Sequence, residues 1–214
     1  MMIPELPNRL SKDYINSLPI IRYTGTIKVI KNDAELSVYL ENIPDETFIG
    51  FDTETRPVFN RGESHSVALV QIALPEIVLL VQLKPSGLPP SLINLFERET
   101  IHKIGVALRD DIIKLQEISF FNPMSFIDLS TIAAHKGIVQ TGIRALAARY
   151  LNGRISKSAQ TSNWERKKLT EKQQNYAATD AWVCTQIYPE LINDTNDYHD
   201  DEEDAKLNQH PSED

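Results

Sequence analysis

The sequence predicts an α/β fold in which a mixed β-sheet is flanked by helices. The first half of the chain contains several short runs of β-branched and aromatic residues. Two of these runs are separated only by Leu74-Pro75-Glu76, which predicts an antiparallel hairpin. The second half alternates strand-like runs with segments of helical periodicity. Antiparallel strands followed by alternating helices and strands are typical of a mixed sheet covered by helices.

The individual elements follow in chain order. Strands are predicted at 22–30, 47–54, 66–74, 77–83, 102–107 and 125–128. Helices are predicted from 32–33 to before Pro44 and at 90–98, 108–118, 129–136 and 142–151, and a long C-terminal helix follows Thr170. Thr170 and Gln173 form a capping-box pattern, which makes Thr170 the expected N-cap. Asp128 ends a strand and precedes a helix, so an N-cap role is expected for it instead of a catalytic one.

The charge pattern divides the chain into a body and an acidic tail. One domain is expected at 22–193, with an N-terminal extension at 1–21 and an acidic, disordered tail at 194–214. The tail holds nine acids and one base, and its net charge of −8 equals that of the whole chain. The body is therefore balanced, whereas proteins that grip long nucleic acids show a basic surplus. A balanced body suits a site that holds a chain end and a few nucleotides.

Composition argues against several classes of protein. No apolar stretch approaches the roughly 18 residues of a membrane span. The N-terminus (Met1-Met2-Ile3-Pro4-Glu5) lacks the basic and then apolar pattern of an export signal. Cys184 is the one cysteine, so no internal disulfide can form, and a small buried residue is expected there. These features predict a cytoplasmic protein with no membrane or disulfide partner, and they leave the oligomeric state unknown.

Asp52 and Glu54 follow the apolar run 47–51, which predicts a buried central strand. Residues i and i+2 of a strand face the same way, so these carboxylates would repel each other unless a cation lay between them. Three other Asp-x-Glu pairs lack this context. Asp33/Glu35 lies at a predicted helix start, where Asp caps free N–H groups and Glu favours the helix dipole, and two pairs at 200–203 lie in the tail.

Tyr176 and Asp180 are spaced i and i+4 on the predicted C-terminal helix, so they share one face. The small residues Ala177, Ala178 and Thr179 between them would let this helix pack closely against a sheet. From spacing alone, an ordinary helix with a buried tyrosine that bonds Asp180 remains an alternative.

Several segments together resemble the DEDD 3′→5′ exonucleases. They are Gly50-Phe51-Asp52-Thr53-Glu54, residues 103–115, Lys157-Ser158, Ser162-Asn163-Trp164, and Tyr176-Ala177-Ala178-Thr179-Asp180-Ala181. A tyrosine four residues before the last aspartate is typical of the DEDDy branch, to which the Werner-syndrome helicase exonuclease domain and ribonuclease D belong. The resemblance covers about residues 22–193 and implies a ribonuclease-H-like fold.

The resemblance also implies a two-metal site. Its ligands would be Asp52, Glu54, Asp111 and Asp180, and Tyr176 would orient the attacking water. Two divalent ions stabilise the charge that develops on both the attacking and the leaving oxygen of a phosphodiester. Mg²⁺ or Mn²⁺ is expected because both prefer oxygen ligands, and the five histidines are too dispersed to form a zinc cluster.

Two assignments within this site have alternatives. Asp110 competes with Asp111, and the Gly-Val before and the Lys-Leu after the pair favour Asp111. Thr53 stands where relatives often have a larger or apolar residue near the terminal nucleotide. Further candidate contacts to the strand precede the last helix; they are Trp164, Arg166, Lys167 and Lys168. Packing is the alternative role for Trp164, and a solvated face is the alternative for the three bases.

The expected function is metal-dependent 3′→5′ exonuclease activity that releases nucleoside monophosphates from the 3′ end of DNA. The close alternative is an RNA-processing exonuclease of ribonuclease D type. DNA is favoured because nothing like an RNA-binding helical domain follows residue 193. A module of this fold that binds nucleic acid or a partner protein without catalysis is disfavoured, because all four carboxylates and the tyrosine are present.

Overall fold

The strands and helices form in nearly the order that the sequence predicts. The computed structural model describes residues 6–58, 62–83, 87–196 and 198. Within these ranges the strands are β1 Thr26–Ile30, β2 Thr47–Thr55, β3 Val67–Ala73, β4 Ile77–Gln82, β5 Ile101–Gly105 and β6 Phe126–Asp128. The helices are α1 Lys12–Ser17, α2 Asp33–Leu40, α3 Pro90–Glu97, α4 Arg109–Ile118, α5 Leu129–His135, α6 Ile143–Leu151 and α7 Glu171–Asn193.

The described strands form one mixed sheet in the order β1-β4-β3-β2-β5-β6. β2, β3 and β4 are antiparallel neighbours, whereas β1–β4, β2–β5 and β5–β6 are parallel pairs. The predicted β3–β4 hairpin is confirmed, and Leu74 N donates to Ile77 O at 2.9 Å across its turn. β5 pairs with β2 only as far as Gly50. The second half of β2 is therefore flanked by β3 alone in this register.

Helix α7 lies closely against the sheet because small residues meet at the contact. Ala177, Ala178 and Ala181 are fully buried. A Cβ atom added to Gly50 of β2 would lie 1.9 Å from the carbonyl oxygen of Ala181, so only glycine permits this approach. The predicted capping box at the start of α7 is confirmed, with both reciprocal bonds present. Nowhere in the described ranges is a helix both long and apolar enough to span a membrane.

The two faces of the sheet have different coverings. On one face Phe51 packs edge-on against Phe96 of α3, with ring centroids 5.6 Å apart. On the other face the buried residues of β3 and β4 meet the alanines of α7. Successive residues of a strand point to opposite faces, so the residue after Phe51, Asp52, points toward α7.

Two local predictions are corrected. The first strand begins at Thr26, not at residue 22. The segment before it makes its backbone hydrogen bonds elsewhere. Ile21 N donates to Arg154 O, and Tyr23 N donates to the hydroxyl of Thr179 on α7. Helix α2 is capped by Asn32, whose Oδ1 accepts from Glu35 N at 2.9 Å, whereas Asp33 was the predicted cap.

The N-terminal segment packs against the body. Helix α1 was not predicted from the sequence. Its N-cap, Ser11, accepts from Tyr14 N at 3.0 Å. Leu10, Ile15 and Leu18 form a buried cluster with Ala148 of α6. The described part of the expected extension is therefore packed on the domain that begins in our prediction at residue 22, while residues 1–5 lie outside the described ranges.

The first described residues of the expected tail are also packed. Asp194 and Tyr198 are buried. The Tyr150 and Tyr198 hydroxyls donate to Asp194 Oδ2 at 2.7 and 2.8 Å, and Arg149 lies over the Tyr198 ring. Asn8 Nδ2 donates to the carbonyl of Tyr198 at 2.6 Å. Asp194 and Tyr198, which the prediction places in the tail, therefore pack against the body, whereas residues 197 and 199–214 lie outside the described ranges.

Candidate active site

Three acidic side chains converge between β2 and α7. Asp52 and Glu54 extend from β2 on the face toward α7, and Asp180 lies on α7 above them. One carboxylate oxygen from each of the three lies within 4.8 Å of the others. Glu54 and Asp180 are buried and Asp52 is partly buried. The i,i+2 spacing on the strand and the helix face that carries Asp180 thus bring together three of the four acids that the sequence singled out.

The protein alone does not neutralise this cluster. Burial, and then the charges of Asp180 and Asp111, raise the pKa of Asp52 well above its ordinary value. Burial and the charge of Asp52 raise the pKa of Glu54 to about 10. Burial raises the pKa of Asp180 to about 7, against the effect of a hydrogen bond from Tyr176. A divalent cation among the three carboxylates would remove the electrostatic cost of ionising them.

The ligand chemistry fits a hard divalent cation. The cluster contains only carboxylate oxygens, which suit Mg²⁺ and Mn²⁺ better than zinc. Asp180 Oδ1 is buried and has no hydrogen-bond partner within the described structure. An ionised oxygen in that position normally requires a cation or a donor. The orphaned atom is therefore consistent with a metal ligand.

Asp111 approaches the cluster from the first turn of α4. Its Oδ1 accepts a hydrogen bond from the Thr53 hydroxyl at 2.5 Å. Burial raises the pKa of Asp111, and the bond from Thr53 opposes that effect. Asp110 is exposed beside it. Asp111 lies outside the group of three mutually close acids, and Thr53, predicted to contact the terminal nucleotide, uses its hydroxyl to hold Asp111.

Asp128 shapes the turn that leads into α4. The predicted N-cap is confirmed, because Asp128 Oδ1 accepts from Ser130 N at 2.8 Å. The same carboxylate also accepts from Ala107 N and Leu108 N at 2.9 and 3.0 Å. Ala107 has a φ of 58°, a left-handed conformation that is unfavourable for alanine. Asp128 thus stabilises the strained turn just before Asp111, a role that the sequence did not reveal.

Tyr176 lies next to Asp180 and packs against Trp164. The ring centroids of Tyr176 and Trp164 are 5.9 Å apart. Burial and the neighbouring charges of Asp180 and Glu54 raise the pKa of Tyr176 above its ordinary value. The hydroxyl therefore remains protonated throughout the physiological pH range and can donate a hydrogen bond.

The residues predicted to contact substrate occupy different environments. Trp164 is 0% exposed, a burial that agrees with the packing alternative for this residue. Arg166 and Lys167 are exposed, and the carbonyl of Arg166 accepts from Gln82 Nε2 at 2.9 Å. Both residues are therefore open to solvent.

A cleft of about 420 Å³ is lined in part by Tyr176 and by other residues of the first turns of α7. Its apolar wall includes Ile20 and Ile155. Its polar wall includes the bases Arg22 and Lys172 together with Glu171, Asn175 and two serines. The mixture of apolar surface, positive charge and hydroxyl groups is compatible with a nucleotide. No sequence pattern indicated this cleft, because its walls come from three separate parts of the chain.

Gln71 is a further residue that the sequence analysis missed. It lies on β3 directly opposite Asp52 and is 0% exposed. Neither its amide nitrogen nor its amide oxygen has a hydrogen-bond partner among the described residues. The available signal was a single polar residue in the otherwise apolar strand VALVQIA.

Comparisons with known proteins place this arrangement in a family. A family model described as 3′-5′ exonuclease matches residues 27–196. The mouse bifunctional 3′-5′ exonuclease/ATP-dependent helicase WRN is 30% identical over 194 residues, which are 83% of this chain and 13% of that protein. An Arabidopsis thaliana 3′-5′ exonuclease is 30% identical over 198 residues, which are 85% of this chain and 69% of that protein.

A solved structure supports the fold independently. Escherichia coli RNase D superposes with a TM-score of 0.67 at 24% identity, over 78% of this chain and 44% of that one. This neighbour shares the ribonuclease-H-like arrangement that the sequence resemblance implied. The matched segment of the family model contains β2, α4 and α7, and with them all four predicted carboxylates and Tyr176. The chain therefore belongs to the 3′-5′ exonuclease family.

Proposed function

We propose that this protein removes nucleotides one at a time from the 3′ end of DNA, in a reaction that requires two divalent ions, Mg²⁺ or Mn²⁺. The observation that carries the proposal is the convergence of Asp52, Glu54 and Asp180 within 4.8 Å, with Tyr176 beside Asp180. A mere binding module would not need to bury three unneutralised carboxylates together. Family membership sets the reaction type, and the choice of DNA is the finer part of the proposal.

The four acids divide the metal-binding work. Asp52, on the interior strand β2, would contact both ions. Glu54 and Asp180 would complete one site, and Asp111, held by Thr53, would serve the other. When bound, the two ions supply Lewis-acid stabilisation of the attacking and leaving oxygens and make water a stronger nucleophile. The protein's own part is to hold the carboxylates on rigid elements, a central strand and two helices.

Tyr176 would orient the attacking water. Its hydroxyl is protonated, lies beside Asp180, and is held by the packing of its ring against the buried Trp164. A positioned hydroxyl of this kind can donate to or accept from water and aim it at the phosphorus atom. Trp164 contributes by fixing the tyrosine ring, not by stacking on a base.

The cleft beside Tyr176 is the proposed path of the strand. Arg22 and Lys172 would contact phosphates, and Ile20 and Ile155 offer apolar surface to a base or sugar. Arg166 and Lys167 are exposed and would make longer-range contacts with the same strand. These few bases can neutralise only a few phosphates, which is compatible with binding of a short 3′ segment. The salt dependence of binding should be correspondingly weak.

DNA is proposed over RNA because of the comparison with the mouse exonuclease-helicase, which is more similar in sequence than RNase D. The latter is described as an exoribonuclease involved in structured RNA processing. RNA hydrolysis is therefore the alternative outcome. The experiment incubates 5′-labelled single-stranded DNA, recessed duplex DNA and RNA with Mg²⁺, Mn²⁺ or EDTA.

The expected result is a ladder that shortens from the 3′ end of DNA, with nucleoside monophosphates as products, and no reaction in EDTA. Asp180→Asn is the matched inactive control, because it replaces one carboxylate oxygen with an amide nitrogen, which removes the negative charge while the side chain keeps its size. Undiminished activity in EDTA would refute the metal-dependent reaction. Preferential degradation of RNA would refute the choice of DNA, and strand binding without product at any metal concentration would indicate a binding module.

A further inference from the structure

Buried polar atoms without partners are concentrated on one face of the sheet. Within the described structure, five buried side-chain nitrogen or oxygen atoms lack a hydrogen bond; they are Gln71 Nε2 and Oε1, Trp164 Nε1, Asp180 Oδ1 and Arg149 Nη1. Four of these five belong to residues that lie between the sheet and α7. A protein interior rarely leaves such groups unpaired, so this concentration requires an explanation.

The sheet register places Gln71 next to Asp52, on the face of the sheet that α7 covers. On β3 it lies between Leu69 and Ala73 on the face toward α7, and it is directly opposite Asp52 on β2 and Leu80 on β4. Leu69, Ala73 and Leu80 share one buried cluster with Trp164 and with the alanines that flank Asp180 on α7. Gln71 is thus enclosed by the residues that surround Trp164 and Asp180.

The four orphaned atoms are complementary. The indole Nε1 of Trp164 is a donor only, and the ionised Asp180 Oδ1 is an acceptor only. The amide of Gln71 offers one acceptor and two N–H donors, which match them in number and polarity. An apolar residue on β3 would fill the same space without burying an amide, so the glutamine is best explained by the partners that it can join.

We propose that Gln71 links Trp164 to Asp180 and thereby positions the metal site. Because these atoms make no direct hydrogen bond to one another, buried water forms the links: the Trp164 N–H donates to a water that donates to the Gln71 carbonyl, and the Gln71 N–H donates to a second water that donates to Asp180 Oδ1. Gln71 and Trp164 are positioning residues in this arrangement and touch neither metal nor nucleic acid. Second-layer donors of this kind hold a ligating carboxylate in one orientation. The inference rests on the proposed metal-binding role of Asp180.

The test replaces Gln71 with methionine, which keeps length and volume but has no N–H or carbonyl. Binding of Mn²⁺ is measured as the metal-dependent rise in melting temperature, and Mg²⁺ dependence is measured as the concentration for half-maximal hydrolysis. We expect Gln71→Met to raise both metal midpoints by about 10–100-fold. The metal-free melting temperature should change little, because methionine retains the length and volume of the glutamine in the buried cluster.

The matched control is Ile72→Met, the next residue on β3, which is equally buried but faces the opposite side of the sheet. Its metal midpoints should equal those of the wild type. If Gln71→Met leaves both midpoints unchanged, the inference is wrong. The inference would also be overturned if the metal-free melting temperature of Gln71→Met fell as far as that of Ile72→Met while both metal midpoints stayed at the wild-type values. That result would assign Gln71 a packing role only.

A second variant tests the link between the two positioning residues. Trp164→Phe removes the indole N–H while retaining an aromatic ring against Tyr176. If both residues act through one network, the double variant Gln71→Met/Trp164→Phe should have the same Mn²⁺ midpoint as the single variant that binds Mn²⁺ more weakly. Additive losses would show that they act separately. Metal binding is measured without nucleic acid, so these results stand even if no exonuclease activity is found, and the two proposals can fail independently.

Discussion

Two buried aspartates, Asp194 and Asp180, lie in clusters of polar side chains but differ in their hydrogen bonds and in the direction of their pKa shifts. Near the C-terminal end of α7, Asp194 accepts bonds from the Tyr150 and Tyr198 hydroxyls and from Asn196 N. Burial alone would raise the pKa of Asp194, yet these bonds bring it below its ordinary value. Fourteen residues earlier on the helix, burial raises the pKa of Asp180 to about 7, and one of its oxygens has no partner among the described residues.

The contrast separates a structural acid from a functional one. The protein satisfies Asp194 completely with its own donors, so this carboxylate contributes to stability and offers nothing to a ligand. Asp180, Asp52 and Glu54 have no comparable set of donors, so ionising them carries an electrostatic cost that an added cation would remove. Stability and function therefore place opposite demands on the same residue type, and pKa direction together with unpaired atoms distinguishes the two.

The largest effect is expected for Asp52→Asn. This residue would contact both ions, and a loss of several kcal/mol of transition-state stabilisation corresponds to a rate reduction of about 10³-fold or more. In EDTA, however, the variant should melt at a higher temperature than the wild type, because one repulsive charge is gone. Steady-state kinetics and thermal melts measure the two quantities. A variant that is both active and less stable would remove Asp52 from the functional cluster.

Asp111→Asn and Asp110→Asn form a discriminating pair of neighbours on α4. We expect the first to lose nearly all activity, because Asp111 points toward the site and is held by Thr53, whereas Asp110 is exposed. The second should retain close to wild-type kcat under saturating Mg²⁺. The reverse order of effects would move the fourth ligand to Asp110.

Tyr176→Phe should lower kcat by roughly 10²–10⁴-fold, the range for loss of a positioned group that takes part in proton transfer. The ring contact with Trp164 remains, so the melting temperature and the Mn²⁺ midpoint should hardly change. Single-turnover kinetics at saturating metal measure the effect on chemistry. Wild-type turnover in this variant would mean that another group orients the water.

The two aspartates should respond oppositely to pH. In EDTA, the folded protein holds a proton on Asp180 that the unfolded chain releases, because the folded pKa is about 7 against 3.8. The free energy of unfolding should therefore fall as pH rises from about 4 to about 7. Thermal melts of the wild type and Asp180→Asn in EDTA would measure this difference. Mg²⁺ should abolish it, and parallel curves for the two proteins in EDTA would contradict the assignment.

The smallest effect on activity is expected for Asp194→Asn. Hydrogen bonds to a charged group contribute about 1.5–3 kcal/mol each, so the variant should lose stability of that order. Its kcat should match the wild type because the cluster lies far from the site. Since the folded pKa of Asp194 is lowered, its contribution is present above pH 3.8 and is lost as pH falls through the folded value. Urea unfolding at pH 7 and turnover measurements test both parts.

Local patterns account for most of the fold and for the carboxylate cluster. The i,i+2 spacing of Asp52 and Glu54 and the i,i+4 spacing of Tyr176 and Asp180 depend only on strand and helix geometry. The capping box at Thr170 is equally local. For this reason the sequence was sufficient to predict β2, α7 and the side chains that they bring together.

Other features depend on contacts between distant parts of the chain. The burial of Trp164 requires β3, β4 and α7 to close around it, and the pairing of Gln71 with Asp52 is a matter of strand register. The packing of Asp194 depends on α6, which lies about forty residues earlier. The polar, acidic sequence after residue 193 contains no local pattern that indicates the burial of Asp194.

The bond from Asn8 to the carbonyl of Tyr198 has a topological consequence. It joins residues near the two ends of the described part of the chain, so these two ends lie next to each other. Along α7 this place lies about 20 Å from Asp180, at 1.5 Å per residue. A short linker could therefore connect residue 198 to residue 8, and new termini could be opened elsewhere. The same geometry would let the domain be inserted into a loop of another protein, with both junctions remote from Asp180.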